Sequence, residues 1–250
     1  MDKIITMQKN WTLEEKYKQS YVDSCLLAAT DENEFQKFRQ HPVISTIIEN
    51  STKAWMTKAY NYLRQHKPWM IKKLSLFAKS DVVGGAVVYP VKSGVNEVNV
   101  SPTTMRYVLI AHYLTRFVGL WPGMKIVEIG GGYGGLCKII HDLVGFKEYV
   151  MYDLPEVQQL QDRFLRHFGI KVTYAAGMEE LKSADLVISW CAWSELDFET
   201  RKEYVEKVIS KSKKVFICAN YNVNEDLALL QPSGEIETYG DELCHNILYR

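Results

Sequence analysis

Cysteine is sparse in this chain, charge of one sign is not in excess, and no long hydrophobic run occurs. Five cysteines (Cys25, Cys137, Cys191, Cys218 and Cys244) are spread over 250 residues with no CxxC pair and no Cys/His cluster. That spacing argues against a disulfide framework and against a zinc site. Cys137 and Cys218 fall on apolar faces and read as small core residues. Lys plus Arg and Asp plus Glu each number 30, so no net basic field favours nucleic acid or an anionic membrane. The one local basic run, "KVISKSKK" at 207–214, reads as the solvated end of a helix before a strand. No apolar stretch approaches membrane-spanning length, and the N-terminus lacks an apolar leader core. The sequons at Asn10, Asn50 and Asn99 therefore carry little weight, and a reducing, cytoplasmic setting is the default expectation. Internal repeats and low-complexity segments are absent as well.

What is present is an ordinary globular balance, 47% hydrophobic and 24% charged, in a chain long enough for a large core. Residues 1–80 have helical spacing, broken at Pro42 and Pro68, with Thr12 and Glu15 forming a capping-box signature. Trp55, Tyr60, Tyr62 and Trp69 make this region aromatic, and interhelix packing accounts for them. Residues 81–122 form a connector or a small hairpin, punctuated by Gly84-Gly85, Pro90 and Gly94. A helix follows, entered at Ser101-Pro102 and stopped at Gly119. From 123 to 250 strand-like and helix-like segments alternate: "MKIVEIG", "KEYVMYD", "IKVTYAA", "ADLVISWCAW" and "KKVFICANY" are the strands. A short helix is expected at "MEELKS". Near-continuous Val, Ile, Phe and Tyr in the strands predicts a mostly parallel sheet covered on both faces, an α/β, Rossmann-like doubly wound fold with a helical N-terminal extension. After the strand at 215–218 only "HNILYR" is a clear further strand. Either "GEIETYG" pairs with it as a hairpin or the sheet is abbreviated.

The stretch "KIVEIGGGYGGL" fits two templates at once. Gly130, Gly132 and Gly135 spell GxGxxG, the dinucleotide fingerprint. Glu128, Gly130, Gly132 and Gly134 spell ExGxGxG, the pattern of S-adenosylmethionine enzymes. The glycines let backbone approach either ligand, so Glu128 discriminates. A carboxylate there repels a pyrophosphate and suits the ammonium end of S-adenosylmethionine. Asp153, about twenty residues beyond the glycines at the end of the next strand, can accept hydrogen bonds from ribose hydroxyls in either cofactor. Leu154 follows beside the nucleoside, and Pro155 opens a helix.

"VEIGGGYGGL", "YDLPEV" and "DLVISWCAWSEL", in this order and spacing, resemble class I S-adenosylmethionine-dependent methyltransferases, and within them the sugar O-methyltransferase family. The resemblance covers Gly123 to roughly Tyr221. It implies the class I methyltransferase fold, S-adenosylmethionine as cofactor and a sugar or glycan acceptor. Small-molecule O-methyltransferases with a DLPEV-like turn are also similar. In them a His-Asp pair aligns with Ser194-Glu195, so their histidine mechanism does not carry over.

Methyl transfer to a sugar hydroxyl needs alignment and a base, since the hydroxyl ionises far above neutral pH. Glu195, after the strand ending "SWCAW", is the first candidate, with a carboxylate that stabilises the N-terminus of the helix "DFETRKEYVEKV" as its competing role. His245 is second and His112, in the helix before the glycine loop, third. Arg106 is placed to bind the cofactor carboxylate, Met178 to pack on adenine and Trp190 to line the cofactor pocket. Trp193, Asn220 and Tyr221 (with Asn222) are the candidate sugar contacts, although core packing accounts for strand-end tryptophans too, and a turn for the asparagines. No acidic cluster with metal-ligand character is visible. A homo-oligomer, or a place in a longer glycan-modifying enzyme, is compatible with this reading. The competing readings are a methyltransferase for another hydroxylated metabolite, a nicotinamide oxidoreductase, and a non-catalytic nucleoside-binding module.

Overall fold

A computed structural model describes residues 15–178, 181–219, 230, 234–236 and 246–249. Among the described residues six α-helices come first: α1 (Glu15–Thr30), α2 (Glu32–Phe35), α3 (Pro42–Ile47), α4 (Lys53–His66), α5 (Pro68–Lys72) and α6 (Leu74–Phe77). Pro42 and Pro68 stand at the first turn of α3 and α5, where a missing N–H costs nothing. Thr52 caps α4, its hydroxyl accepting from the Trp55 N–H at 3.1 Å. Thr12, expected to cap α1, lies outside the described residues.

Residues 81–122 contain a hairpin, β1 (Tyr89–Ser93) and β2 (Asn96–Val100), paired antiparallel with Val91 opposite Val98. α7 (Pro102–Tyr113) follows, capped by Ser101, whose hydroxyl accepts from the Thr104 N–H at 3.0 Å. It runs on through a π-turn over Leu114–Val118 to Gly119, which takes the left-handed conformation at φ 69°. Both the hairpin and this helix with its glycine stop match the sequence expectation.

The remainder alternates: β3 (Lys125–Ile129), α8 (Gly135–Leu143), β4 (Glu148–Tyr152), α9 (Pro155–His167), β5 (Thr173–Tyr174), β6 (Leu186–Trp190), α10 (Phe198–Lys207), β7 (Val215–Ala219), β8 (Gly234–Ile236) and β9 (Asn246–Tyr249). The sheet order is β5-β4-β3-β6-β7-β9-β8. The first five pair in parallel; β9 lies antiparallel between β7 and β8. This is the Rossmann-like, mostly parallel class I methyltransferase fold, and the C-terminal segments form the hairpin that "GEIETYG" allowed. Two local expectations are corrected. "IKVTYAA" yields only the two-residue edge strand β5, and the described residues of "MEELKS" are not helical.

Alternation along β3 splits the interior into two cores. Ile126 joins Met151, Ile188 and Phe216 on one face, while Val127 and Ile129 join Val187, Val215 and Ile217 on the other. The first core continues without a break into the N-terminal helices through Tyr21, Phe38, Ile44 and Leu63. Residues before and after position 80 therefore share one apolar interior. Cys218 is buried in the first core on β7, as its apolar face implied, and it is disulfide-bonded, which the scattered cysteine spacing did not suggest.

A buried charge cluster fastens the helical part to α7. The Arg39 guanidinium, fully buried, donates to both oxygens of Glu49 (2.7 and 3.1 Å), to Asp81 at 2.9 Å and to the Ser101 hydroxyl at 2.9 Å. Asp81 also accepts from the Ser101 N–H, from the Ser101 hydroxyl and from the Thr104 hydroxyl at 2.7–2.8 Å. Among the described residues no helix is long and apolar enough to cross a membrane.

Candidate functional site

The strand order reverses between β3 and β6, so the loops leaving the carboxyl ends of β3, β4 and β6 border the crevice where this architecture places ligands. The glycine loop leaves β3 there. Gly130 donates its N–H to the Tyr152 carbonyl at 2.9 Å and takes φ +74°; a Cβ on it would lie 2.1 Å from the Ala192 Cβ. The loop is thus held against both the β4 end and the turn after β6. Gly132, at φ +56°, lies beneath Ile48 of the helical region, whose Cδ1 would meet an added Cβ at 3.3 Å. Between these glycines and α8, Tyr133 turns back into the first core. Its ring packs against Phe38 (5.3 Å between centroids), Phe164 (4.8 Å) and Tyr107 (6.2 Å), with the Arg39 guanidinium 5.1 Å from its centre.

Below the loop two carboxyl groups are buried. Glu128 faces the first core and accepts a hydrogen bond from the Tyr149 hydroxyl at 2.8 Å. Desolvation pushes its pKa up to about 7 against that hydrogen bond, and the nearby Asp153 adds to the rise. Asp153, at the end of β4, accepts from the Leu154 N–H at 2.9 Å, the Gln161 side-chain amide at 2.8 Å and the Gly131 N–H. Burial still pushes it up to about 7. Two buried acids so poised repel a pyrophosphate. They suit a ligand that brings an ammonium group and hydroxyl donors, because pairing releases the cost of holding the acids ionised.

Arg106 on α7 is buried, donating to the Asn50 side-chain oxygen at 2.6 Å and to the Ile48 carbonyl, while its Nε has no partner. Since Ile48 also covers Gly132, Arg106 borders the glycine loop. Leu154 is buried where α9 begins. Met178 is half-buried against the second core, just beyond β5. Glu128, Gly130, Gly132, Asp153 and Leu154 thus come together, with Arg106 at their rim.

Beyond β6 the chain turns sharply at Cys191, whose φ of 65° is the one positive value at a non-glycine position among the described residues. The Ser189 hydroxyl donates to the Ile129 carbonyl at 3.0 Å, tying this turn to the glycine strand. Trp190 is half-buried with its indole Nε1 buried and unpartnered, a donor facing a gap in the protein's own hydrogen bonding. Trp193 is fully buried in the second core against Tyr204, 6.4 Å between centroids, so it offers no face to a sugar; the stacking role expected for it is corrected. Glu195 is half-buried at the end of the 3-10 turn Ala192–Glu195. It does not cap α10: Asp197 does, accepting from the Thr200 N–H at 2.7 Å. His112 packs against Tyr62 of α4, near His66. Burial and the positive charges of Lys67 and Arg116 push its pKa down to about 4, so its imidazole is neutral and only weakly basic at pH 7. His245, Asn220, Tyr221 and Asn222 lie outside the described residues. Among the described residues no group of three or more His, Cys, Asp or Glu is placed to hold a metal ion.

Sequence reasoning passed over Tyr149, Ile48, Asn50 and Gln161. Only Gln161 left a readable signal: Val157, Leu160, Phe164 and Leu165 form the apolar stripe of α9, and Gln161 interrupts it.

No protein-family model matches the chain, and no curated protein matches it. Among solved structures, a SAM-dependent methyltransferase from Aquifex aeolicus is 15% identical over 55% of this chain and 87% of its own, with a TM-score of 0.47. The pyocyanin biosynthetic protein PhzM is 14% identical over 58% of this chain and 56% of its own, at 0.47. Magnesium protoporphyrin IX methyltransferase from Synechocystis PCC 6803, with bound SAM, is 13% identical over 58% and 81%, at 0.44. Likenesses this distant assign no activity to this chain.

Proposed function

We propose that this chain is an S-adenosylmethionine-dependent O-methyltransferase whose acceptor is a sugar hydroxyl on a glycan, glycolipid or nucleotide-sugar. The observation that carries the cofactor half is the pair of buried acids, Glu128 and Asp153, at the ends of adjacent strands beneath the glycine loop. When bound, S-adenosylmethionine supplies an activated methyl group. In this proposal Asp153 accepts from the ribose hydroxyls, Glu128 pairs with the ammonium group and Arg106 offers its unpartnered Nε to the carboxylate. Leu154, Met178 and Trp190 line the nucleoside side.

The acceptor half rests on the resemblance of "GGGYGGL", "DLPEV" and "SWCAWSEL", and on Glu195. That carboxylate follows the strand end where this architecture collects reactive groups, and the N-cap of α10 is Asp197. Its part is to take the hydroxyl proton as the methyl group is transferred. Glu195→Gln is expected to lower kcat about 10²–10⁴-fold with little change in cofactor affinity. A variant as fast as the parent removes Glu195 as the base.

Calorimetric titration with S-adenosylmethionine and with NADH tests the cofactor directly. Heat with NADH and none with S-adenosylmethionine sinks the proposal. Because the two acids rise to about 7 in the free protein, binding of the cation competes with protons. Affinity is therefore expected to strengthen about tenfold or more between pH 6 and pH 8, with proton release visible as a buffer-dependent heat. Release of S-adenosylhomocysteine with a panel of sugars identifies the acceptor; turnover only with a phenol or other metabolite favours the broader methyltransferase reading.

A cytoplasmic setting, the absence of nucleic-acid partners and a homo-oligomer or a place in a longer enzyme belong to the same proposal. The disulfide at Cys218 is the feature set against a reducing compartment. A full complement of titratable thiols in protein isolated from cytosol supports that setting, and a missing pair overturns it.

A further inference from the structure

We propose that Gln161 is a positioning residue that clamps the glycine loop to Asp153 and keeps that carboxylate aimed at the hydroxyls of a bound nucleoside; this rests on the cofactor reading above. The Gln161 side chain is fully buried on α9. Its Nε2 donates at 2.8 Å to the Gly132 carbonyl and at 2.8 Å to Asp153 Oδ2, so one amide group spans the loop and the neighbouring strand end. Both partners are acceptors, which fixes the amide orientation: turned over, its oxygen would face two oxygens. As placed, Gln161 Oε1 is buried without a partner.

A half-satisfied amide in an apolar stripe is a poor choice for stability alone. A leucine between Leu160 and Phe164 would pack with no polar atom to satisfy. The two bonds do something a leucine cannot. Asp153 Oδ1 is engaged by the Leu154 N–H, and Gln161 holds Oδ2, so the carboxylate is locked in one rotation. The Gly132 carbonyl is held by the same amide, which fixes the backbone at the position where φ is +56° and Ile48 crosses. The N–H groups of the loop and the free lone pairs of Asp153 are thereby set relative to one another before any ligand arrives, the condition for tight recognition by a few polar groups.

The test uses the whole chain, Gln161→Met, and carboxyl-labelled aspartate followed by NMR through a pH titration without ligand. Loss of the amide donor is expected to move the Asp153 titration upward by about one pH unit. Affinity for S-adenosylmethionine at pH 7 then falls about 10–100-fold; the roughly fivefold share that comes from the shifted titration is recovered by pH 9, where Asp153 is ionised in both proteins, and the share that comes from the lost aim of the carboxylate persists. A packing role alone would change melting temperature but neither the Asp153 midpoint nor the pH at which affinity recovers. In an Asp153→Asn background the same substitution is expected to cost less than in the parent, leaving only the loss of the Gly132 contact. An unmoved Asp153 midpoint in a folded variant overturns the clamp. If the methionine variant does not fold, Gln161→Asn carries the same readout, since its amide is one methylene too short to span both acceptors. A parent protein that binds no S-adenosylmethionine sinks the cofactor reading, while the ligand-free titration still decides whether Gln161 governs Asp153.

Discussion

Glu128→Gln is expected to make the ligand-free protein more stable and the binding protein worse. Holding this carboxyl near 7 instead of its ordinary 4.5 costs the ionised form on the order of 3 kcal/mol. The sign follows from the raised value. The group's contribution to stability is fully present below its unfolded pKa and is lost as pH rises through about 7. The parent should therefore weaken between pH 5 and pH 8, and the glutamine variant should weaken less. At pH 8 the variant is expected to unfold at higher denaturant, by about 2–3 kcal/mol. Its amide oxygen still accepts from the Tyr149 hydroxyl, so the local packing is retained. At the same pH its affinity for S-adenosylmethionine should drop about 100-fold, the cost of removing one charge-assisted pairing from a buried site. Denaturant unfolding at pH 5 and pH 8, with calorimetry at pH 8, gives both halves. A variant no more stable than the parent at pH 8 contradicts the burial account of Glu128.

Arg39→Met should produce the largest loss of stability of any single change considered, about 3–5 kcal/mol. The guanidinium is fully buried between Glu49 and Asp81, whose side chains are 11% and 3% exposed. Its removal leaves two desolvated carboxylates with no counter-charge and takes away the cation above Tyr133. Asp81 retains its bonds from Ser101 and Thr104, so neutralising it is tolerable, and Asp81→Asn combined with Arg39→Met should recover part of the loss. Chemical denaturation of the four proteins in that cycle measures the coupling. Additive effects would show that Arg39 and Asp81 do not act as a unit.

The sheet was legible because its signals are local. Glycines at the end of "KIVEI", proline opening the helix after Asp153 and near-continuous β-branched strands each report on a few neighbouring residues. Glu128 and Asp153 were found for the same reason, each standing where one strand ends. The Arg39 cluster was not legible, since it joins positions 39, 49, 81 and 101 through packing that no short window contains. Trp193 was misjudged because the left-handed turn at Cys191 rotates the following residues, and its ring enters the second core instead of the crevice. His112 looked like a candidate until α4 packed over it. Gln161 was legible in principle, being polar on an apolar stripe, but its two acceptors come from other elements.

Tyr133 has a consequence for the chain's modularity. It belongs to the ligand loop by sequence, yet its ring is seated among Phe38 and Phe164, beneath Arg39. The helical front and the glycine loop are therefore not interchangeable parts. Grafting residues 123–250 onto a different front end would leave an aromatic socket half-built, and the loop would lose its anchor together with its cover. Inheritance and engineering alike have to carry Phe38, Arg39 and Tyr133 as a set.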